Sequence, residues 1–207
     1  VKKIKILIRK TGNSIIATFD NSGVYPEQSL YFIYNFKNES EAKNILALFN
    51  SKLYSWIYLK SFVTNLDSTP QLKNVDLYKF PIKFFDDKDF IKVVNLVDLL
   101  LTENRNLKLV TKKFLDLLNS EFIIEKFSKK IEIWFTLSWL EFEQELKKKK
   151  FILSGIKKEE WYDRFTRLKE EAKNIKLQID KTDIEIDKMV YKLYNLTSEE
   201  IDLIENS

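Results

Sequence analysis

Two short polar groups are the residues of this sequence best equipped for chemistry. Arg9 and Lys10 run into Thr11, Asn13 and Ser14, so two long cations stand beside hydroxyls and an amide. Such cations suit a phosphate or the acceptor edge of guanine, and an amide can pair with adenine. Gln71, Lys73 and Asn74 follow Pro70 and repeat the combination. Read alone, each group also fits a solvated loop with no ligand.

Signals for catalysis are poor. The chain has no His and no Cys, which removes the commonest general base, the usual zinc ligands and any His-dependent triad. Glu145-Leu146-Lys147 matches the E-x-K fragment of metal-dependent nucleases, but no Pro-Asp pair stands upstream and the triplet lies in a lysine run. A solvated helix face is the expectation there. Asp86, Asp87 and Asp89 lack the sharp-turn Gly and terminal Glu of a calcium loop, so helix capping is expected of them. Thr11-Gly12-Asn13-Ser14 is too poor in glycine to cradle a pyrophosphate. No catalytic residue, cofactor site or metal site is expected within this chain.

With 207 residues, 44% hydrophobic and 14% aromatic, the chain can bury a core. No apolar run approaches the ~20 residues of a membrane helix and no signal-peptide pattern opens the sequence, so a soluble cytoplasmic protein is expected. The net charge of +4 is unevenly spread: residues 1–60 hold nine Lys/Arg against four Asp/Glu, residues 121–207 seventeen against nineteen. A basic first third fits a phosphate-contacting surface, and it also fits ordinary solubilising lysine. The chain opens at Val1 and its one methionine is Met189, which leads to the expectation of a piece of a longer protein whose catalytic parts lie upstream.

The elements that must position the two polar groups begin with β structure. Ile4, Ile6 and Ile8 alternate with Lys3, Lys5 and Arg9, Thr11-Gly12-Asn13 turns, and Ser14 to Phe19 runs back as a hairpin. Leu30 to Phe36 is a third strand. The period then becomes helical: Asn38 and Glu41 resemble a cap, and Ile45, Leu48, Phe49, Leu53, Trp56 and Ile57 form an expected core face. Ser61 to Pro81 reads as an ordered surface loop with short strands. From Asp87, apolar residues through Leu117 predict one long helix or two, weak at Glu103 to Asn106. Ser138 with Glu141 is a capping box for a helix ending at Lys147 to Lys150, followed by a short strand or turn at Phe151 to Leu153. Trp161, Phe165, Leu168, Ala172, Ile175, Ile179, Thr182, Ile186, Met189 and Leu193 form a heptad seam on a helix over about 158–194, and Thr197 with Glu200 caps a last helix, 197–205.

Four stretches in order resemble one family. "KIKILIRKTGNSIIATFDNSGVYPEQSLYFI" (3–33), "ILALFNSKLYSWIYLK" (45–60), "PQLKNVDLYKFPIK" (70–83) and "DIEIDKMVYKLYNLTSEEIDLIE" (183–205) are similar to the TaqI-like C-terminal specificity domain of type IIG restriction–modification enzymes and adenine-specific DNA methyltransferases. The resemblance implies a bacterial target recognition domain that binds double-stranded DNA and partners the methyltransferase, and in some parents the nuclease, domain of the same protein. It places Arg9, Lys10, Thr11 and Asn13 on a hairpin facing DNA and Gln71 and Lys73 on the loop beside it. Tyr191, Tyr194, Leu196 and Ile201 become packing residues of the closing motif. S-adenosylmethionine and Mg belong to the parent enzyme, since the family's upstream methyl-donor site and N-P-P-Y motif are missing here.

The expected fold is α+β: an N-terminal antiparallel hairpin or small sheet packed with helices, then a helical extension with a long C-terminal amphipathic helix. The expected domains are a mixed α/β recognition domain at 1–86 and a helical region at 87–207. A rival reading is a helical protein–protein interaction module using the 161–193 seam.

Overall fold

The structure, a computed structural model, describes residues 4–63 and 69–207. Among these residues three strands, β1 (Lys5–Arg9), β2 (Ala17–Asp20) and β3 (Leu30–Tyr34), precede eight α-helices: α1 (Glu39–Asn50), α2 (Lys52–Ser61), α3 (Asn74–Leu77), α4 (Asp87–Phe122), α5 (Lys129–Glu132), α6 (Trp139–Lys148), α7 (Gly155–Tyr194) and α8 (Ser198–Glu205). A 3₁₀ turn, Trp134–Thr136, joins α5 to α6. The fold is α+β as expected, a small antiparallel sheet followed by helices and a long C-terminal helix. Residues 1–99 with 182–207 form one compact unit and residues 100–181 another.

In the first unit β1 is central, in the order β2-β1-β3, and both pairings are antiparallel. Alternation along β1 buries Ile6 and Ile8 completely. α1 lies against β2 and β1. The hairpin's return strand starts only at Ala17, because residues 10–16 leave the sheet. The third strand stops at Tyr34 rather than Phe36, since Asn35 turns left-handed with φ 78°.

The expected helical core face is corrected by a break. Ser51 ends α1 and caps α2: its hydroxyl donates to the Leu48 carbonyl at 2.7 Å and accepts from the Tyr54 N–H at 3.3 Å. The break rotates the buried face, so Tyr54 and Tyr58 are buried while Ile45, Trp56 and Ile57 are only half-buried. A carboxylate from α7 completes the junction, Asp187 Oδ1 accepting the Lys52 backbone N–H at 2.9 Å. Tyr54 stacks on Phe80 with centroids 4.9 Å apart, and the Tyr54 and Tyr194 hydroxyls both donate to the Pro81 carbonyl.

The second unit is built on rings. Phe114 of α4 stacks on Trp134 and is ringed by Phe142, Trp161 and Phe165, all buried with Leu118, Ile131, Leu146, Leu168 and Ala172. α4 passes through residues 103–106 unbroken, so the expected weak point does not form; its polar side chains stay helical on a largely solvent-facing stretch. Both expected capping boxes are present, at Ser138 with Glu141 and at Thr197 with Glu200. Residues 151–153 form no strand. Of the α7 seam, Trp161, Phe165, Leu168, Ala172, Ile179, Thr182, Ile186 and Met189 are buried within the chain itself. The seam on which the rival reading relied is thus mostly spent inside the chain, with Ile175 and Leu193 half-buried.

Glu145 of the E-x-K triplet is not on a solvated face. It is 6% exposed, and it accepts the Ser128 hydroxyl at 2.7 Å and the Lys148 ammonium at 2.6 Å. The Lys148 and Ser128 bonds hold its carboxyl below the usual glutamate range, so it is a structural anchor for the start of α5.

Candidate nucleic-acid interface

The segment after β1 continues as extended chain and finds a partner. Thr11 and Gln71 form an antiparallel β-bridge. The Gly12 N–H donates to the Pro70 carbonyl at 3.0 Å and the Leu72 N–H to the Lys10 carbonyl at 2.7 Å. Proline suits this place because only its carbonyl is used. The two polar groups seen in the sequence, 60 residues apart, thus meet through main-chain bonds.

Alternation then sorts the side chains. Pro70 and Leu72 are buried, whereas Gln71 and Lys73 are exposed; Arg9, Thr11 and Asn13 are exposed, with Lys10 and Gly12 half-buried between them. Arg9, Thr11, Asn13, Gln71 and Lys73 are therefore the outward positions of the paired segments. Lys10 is placed differently: its ammonium lies 4.5 Å from the centre of the Tyr31 ring and 2.5 Å from the Gln28 carbonyl. Gly12 has φ 140°, a conformation that strains any side chain, and a Cβ there would collide with the Arg9 guanidinium folded over it.

The segment is held from the helix side by groups that sequence reasoning missed. Asn50 Oδ1 accepts the Ala17 N–H at 2.8 Å while its Nδ2 donates to the Ala17 carbonyl at 3.0 Å, so one amide satisfies both main-chain groups at the sheet edge. Ser55 Oγ accepts the Ile15 N–H at 3.2 Å. The available signal was Asn50-Ser51, a polar pair interrupting an apolar helical run. On the other segment, α3 follows Lys73, and its buried Asp76 is paired with Lys79 at 3.1 Å.

The basic excess of residues 1–60 is less available than composition suggests. Lys5 is 3% exposed and lies 2.7 Å from Asp20. Burial pushes the Asp20 carboxyl up, but bonds from Lys5 and Ser22 outweigh it and hold the group below its ordinary value. Lys43 pairs with Asp98 and Lys52 with Glu205. Among the described residues, neither Arg9 nor Lys73 has a carboxylate within ion-pair distance.

Among the described residues no cluster of acidic groups has the makings of a metal site. Asp86 accepts the Asp89 N–H at 2.9 Å and Asp89 pairs with Lys192 at 2.9 Å, which is helix capping and cross-bracing. No helix among these residues is long and apolar enough to cross a membrane.

Residues 1–82 match the family model of the TaqI-like C-terminal specificity domain, which takes in both polar groups and the helices α1 and α2 between them. The fourth similar stretch, 183–205, lies outside that match, and residues 86–190 instead match a family described as domain of unknown function DUF8810. Neither a curated protein nor a solved structure matches the chain. The match over residues 1–82 points to DNA recognition in restriction–modification, by a domain that confers specificity rather than performing the reaction. The chain belongs to the DUF8810 family over residues 86–190, and its residues 1–82 match the TaqI-like C-terminal specificity domain.

Proposed function

We propose that this chain is the DNA-sequence-recognition part of a bacterial restriction–modification methyltransferase or endonuclease, working in the cytoplasm on double-stranded DNA and positioning a catalytic domain of the same parent. In this reading residues 1–86 recognise and the helical residues 87–207 support. Arg9, Thr11, Asn13 and Gln71 reach base edges, Lys73 docks a phosphate, and Lys10 braces the loop from behind. The S-adenosylmethionine and Mg sites belong to the parent's other domains, where a target adenine leaves the stack for methylation.

The observation that carries the reading is the Thr11–Gln71 bridge, with donors and acceptors at the outward positions on both sides of it. Phosphate contacts orient a protein on the duplex and base contacts specify sequence, so cations and amides are needed together. Selection from a randomised duplex pool tests it. Arg9→Ala, Asn13→Ala or Gln71→Ala should each lose roughly 1–3 kcal/mol on the preferred sequence and relax the preference at one position. Lys73→Ala should weaken all sequences alike and lower the salt slope by about one. A preferred sequence that survives all four substitutions overturns the reading.

A further inference from the structure

The outer face of α4 within residues 100–181 has a charge pattern that the specificity reading does not use. Val110, Phe114 and Leu118 turn into the core, so helical spacing puts Arg105, Lys108 and Lys112 on the opposite side, with Lys113 exposed at its edge. No acidic residue interrupts the stretch from 105 to 113. Among the described residues none of these four cations has a carboxylate within ion-pair distance, although Lys148, Lys157, Lys158 and Lys176 of the same unit each have one. The exposed face of α7 shows the contrast: Glu159, Asp163, Arg167, Glu170 and Lys173 mix both signs, as a merely solvated helix does.

The chemistry of the α4 face fits a polyanion read without regard to sequence. Amides near it are spent on their own helix, Asn104 donating to the Leu100 carbonyl at 2.8 Å and Asn106 to Glu103 at 3.4 Å. What remains is cationic apart from Asp116 and Leu109; Leu109 is 59% exposed and lines a shallow groove of about 500 Å³ with Lys112, Lys113 and Asp116. Point charges flanking an apolar side chain suit a sugar–phosphate backbone. We infer that this face of α4 is a second DNA contact, docking on the duplex backbone through Arg105, Lys108, Lys112 and Lys113 without reading bases. The inference rests on the proposal that the chain acts on DNA, and it assigns a role to part of the DUF8810 region.

The test is fluorescence anisotropy of the whole chain on a duplex of arbitrary sequence across a salt series. Each neutralised phosphate contributes about 0.9 to the slope of log affinity against log salt, so Lys108→Gln/Lys112→Gln/Lys113→Gln should lower that slope by about 2 to 3 and weaken low-salt binding by about tenfold or more. The same three positions changed to Arg should keep both, and Asp116→Asn should tighten binding at low salt. An unchanged slope in the Gln variant, or an equal loss in the Arg variant, overturns the inference. Should circular dichroism show the Gln variant unfolded, Asp116→Asn decides alone, and no tightening counts against the contact. Loss of heparin retention with duplex binding intact assigns the face to another polyanion and also overturns it. The two proposals separate cleanly. A slope lost at α4 while Arg9 and Asn13 variants keep the wild-type sequence preference sinks the recognition reading alone, and the converse sinks only this one.

Discussion

In residues 100–181, Phe114 is surrounded by Trp134, Phe142, Trp161 and Phe165 with centroids 3.8 to 6.1 Å away. The first unit has a smaller ring cluster, Phe49, Tyr54, Phe62 and Phe80, and adds single side chains bonded to the backbone of a distant segment: Asn50 on Ala17, Ser55 on Ile15, Asp187 on Lys52 and Tyr54 on Pro81. Burial of rings stabilises in proportion to area and has little directional demand, whereas a hydrogen bond holds two atoms in one register. In the unit that presents the outward polar row, directional bonds fix the segments that carry it, while the core around Phe114 is held mainly by bulk.

The largest effect should come from emptying the ring cluster. Trp134→Ala is expected to cost about 3–5 kcal/mol in urea unfolding, because the fully buried indole leaves a cavity beside Phe114. Among the described residues its Nε1 has no hydrogen-bond partner, so Trp134→Phe should cost far less, about 1 kcal/mol. Equal losses for the two variants would mean that the indole N–H, not ring volume, matters, and the contrast between the units would blur.

The next effect is a pH dependence confined to the first unit. Burial pushes the Asp187 carboxyl up to about 6, against the Lys52 backbone bond that favours its charged form. The folded chain therefore binds a proton that the unfolded chain has released, so the contribution of this group is fully present below about pH 4 and is lost as pH rises through 6. That loss is roughly 2–3 kcal/mol. Asp187→Asn keeps the acceptor for Lys52 without the charge. Its stability should fall less than that of the wild type between pH 4 and 7, and parallel curves would remove Asp187 as the cause. Glu205, held low by Lys52, titrates in the opposite sense and is common to both curves.

Asn50→Ala should have the smallest global cost, about 1–2 kcal/mol for two bonds at a partly exposed sheet edge. Its sharper signature is local. Hydrogen exchange at Ala17 should quicken while the helices of residues 100–181 keep their protection. Protection lost equally in both units would show that Asn50 does more than hold the edge.

Much of this architecture was legible because it rests on local signals. The Ser138 and Thr197 capping boxes, the Asn38 cap and the α7 seam each depend on residues within one or two turns, and each lies where the sequence puts it. What escaped depends on partners far along the chain. Ser51 breaks the helix by bonds to its neighbours, but the break is reinforced by Asp187, which bonds the Lys52 N–H from 135 residues away. Glu145 looks like a surface acid until Ser128 is folded against it, and Lys5 counts as a surface cation until Asp20 lies across the strand pair. For the candidate site, residue types and both loops were readable; their pairing through Thr11 and Gln71 was not, because nothing within either loop specifies the other. The expected short strands between residues 61 and 81 reduce to that bridge, with residues 64–68 outside the described part.

The bridge between residues 11 and 71 has a consequence for anyone exchanging parts between relatives. Since each segment supplies the main-chain partner of the other, a chimera that imports one alone must match a foreign backbone spacing, and a single insertion would turn the outward positions beyond it in that segment to the other face. Substitutions at 9, 11, 13, 71 and 73 leave that pairing untouched. New target preferences should therefore be reachable by point changes or by transplanting both segments as a cassette, and rarely by grafting half of it.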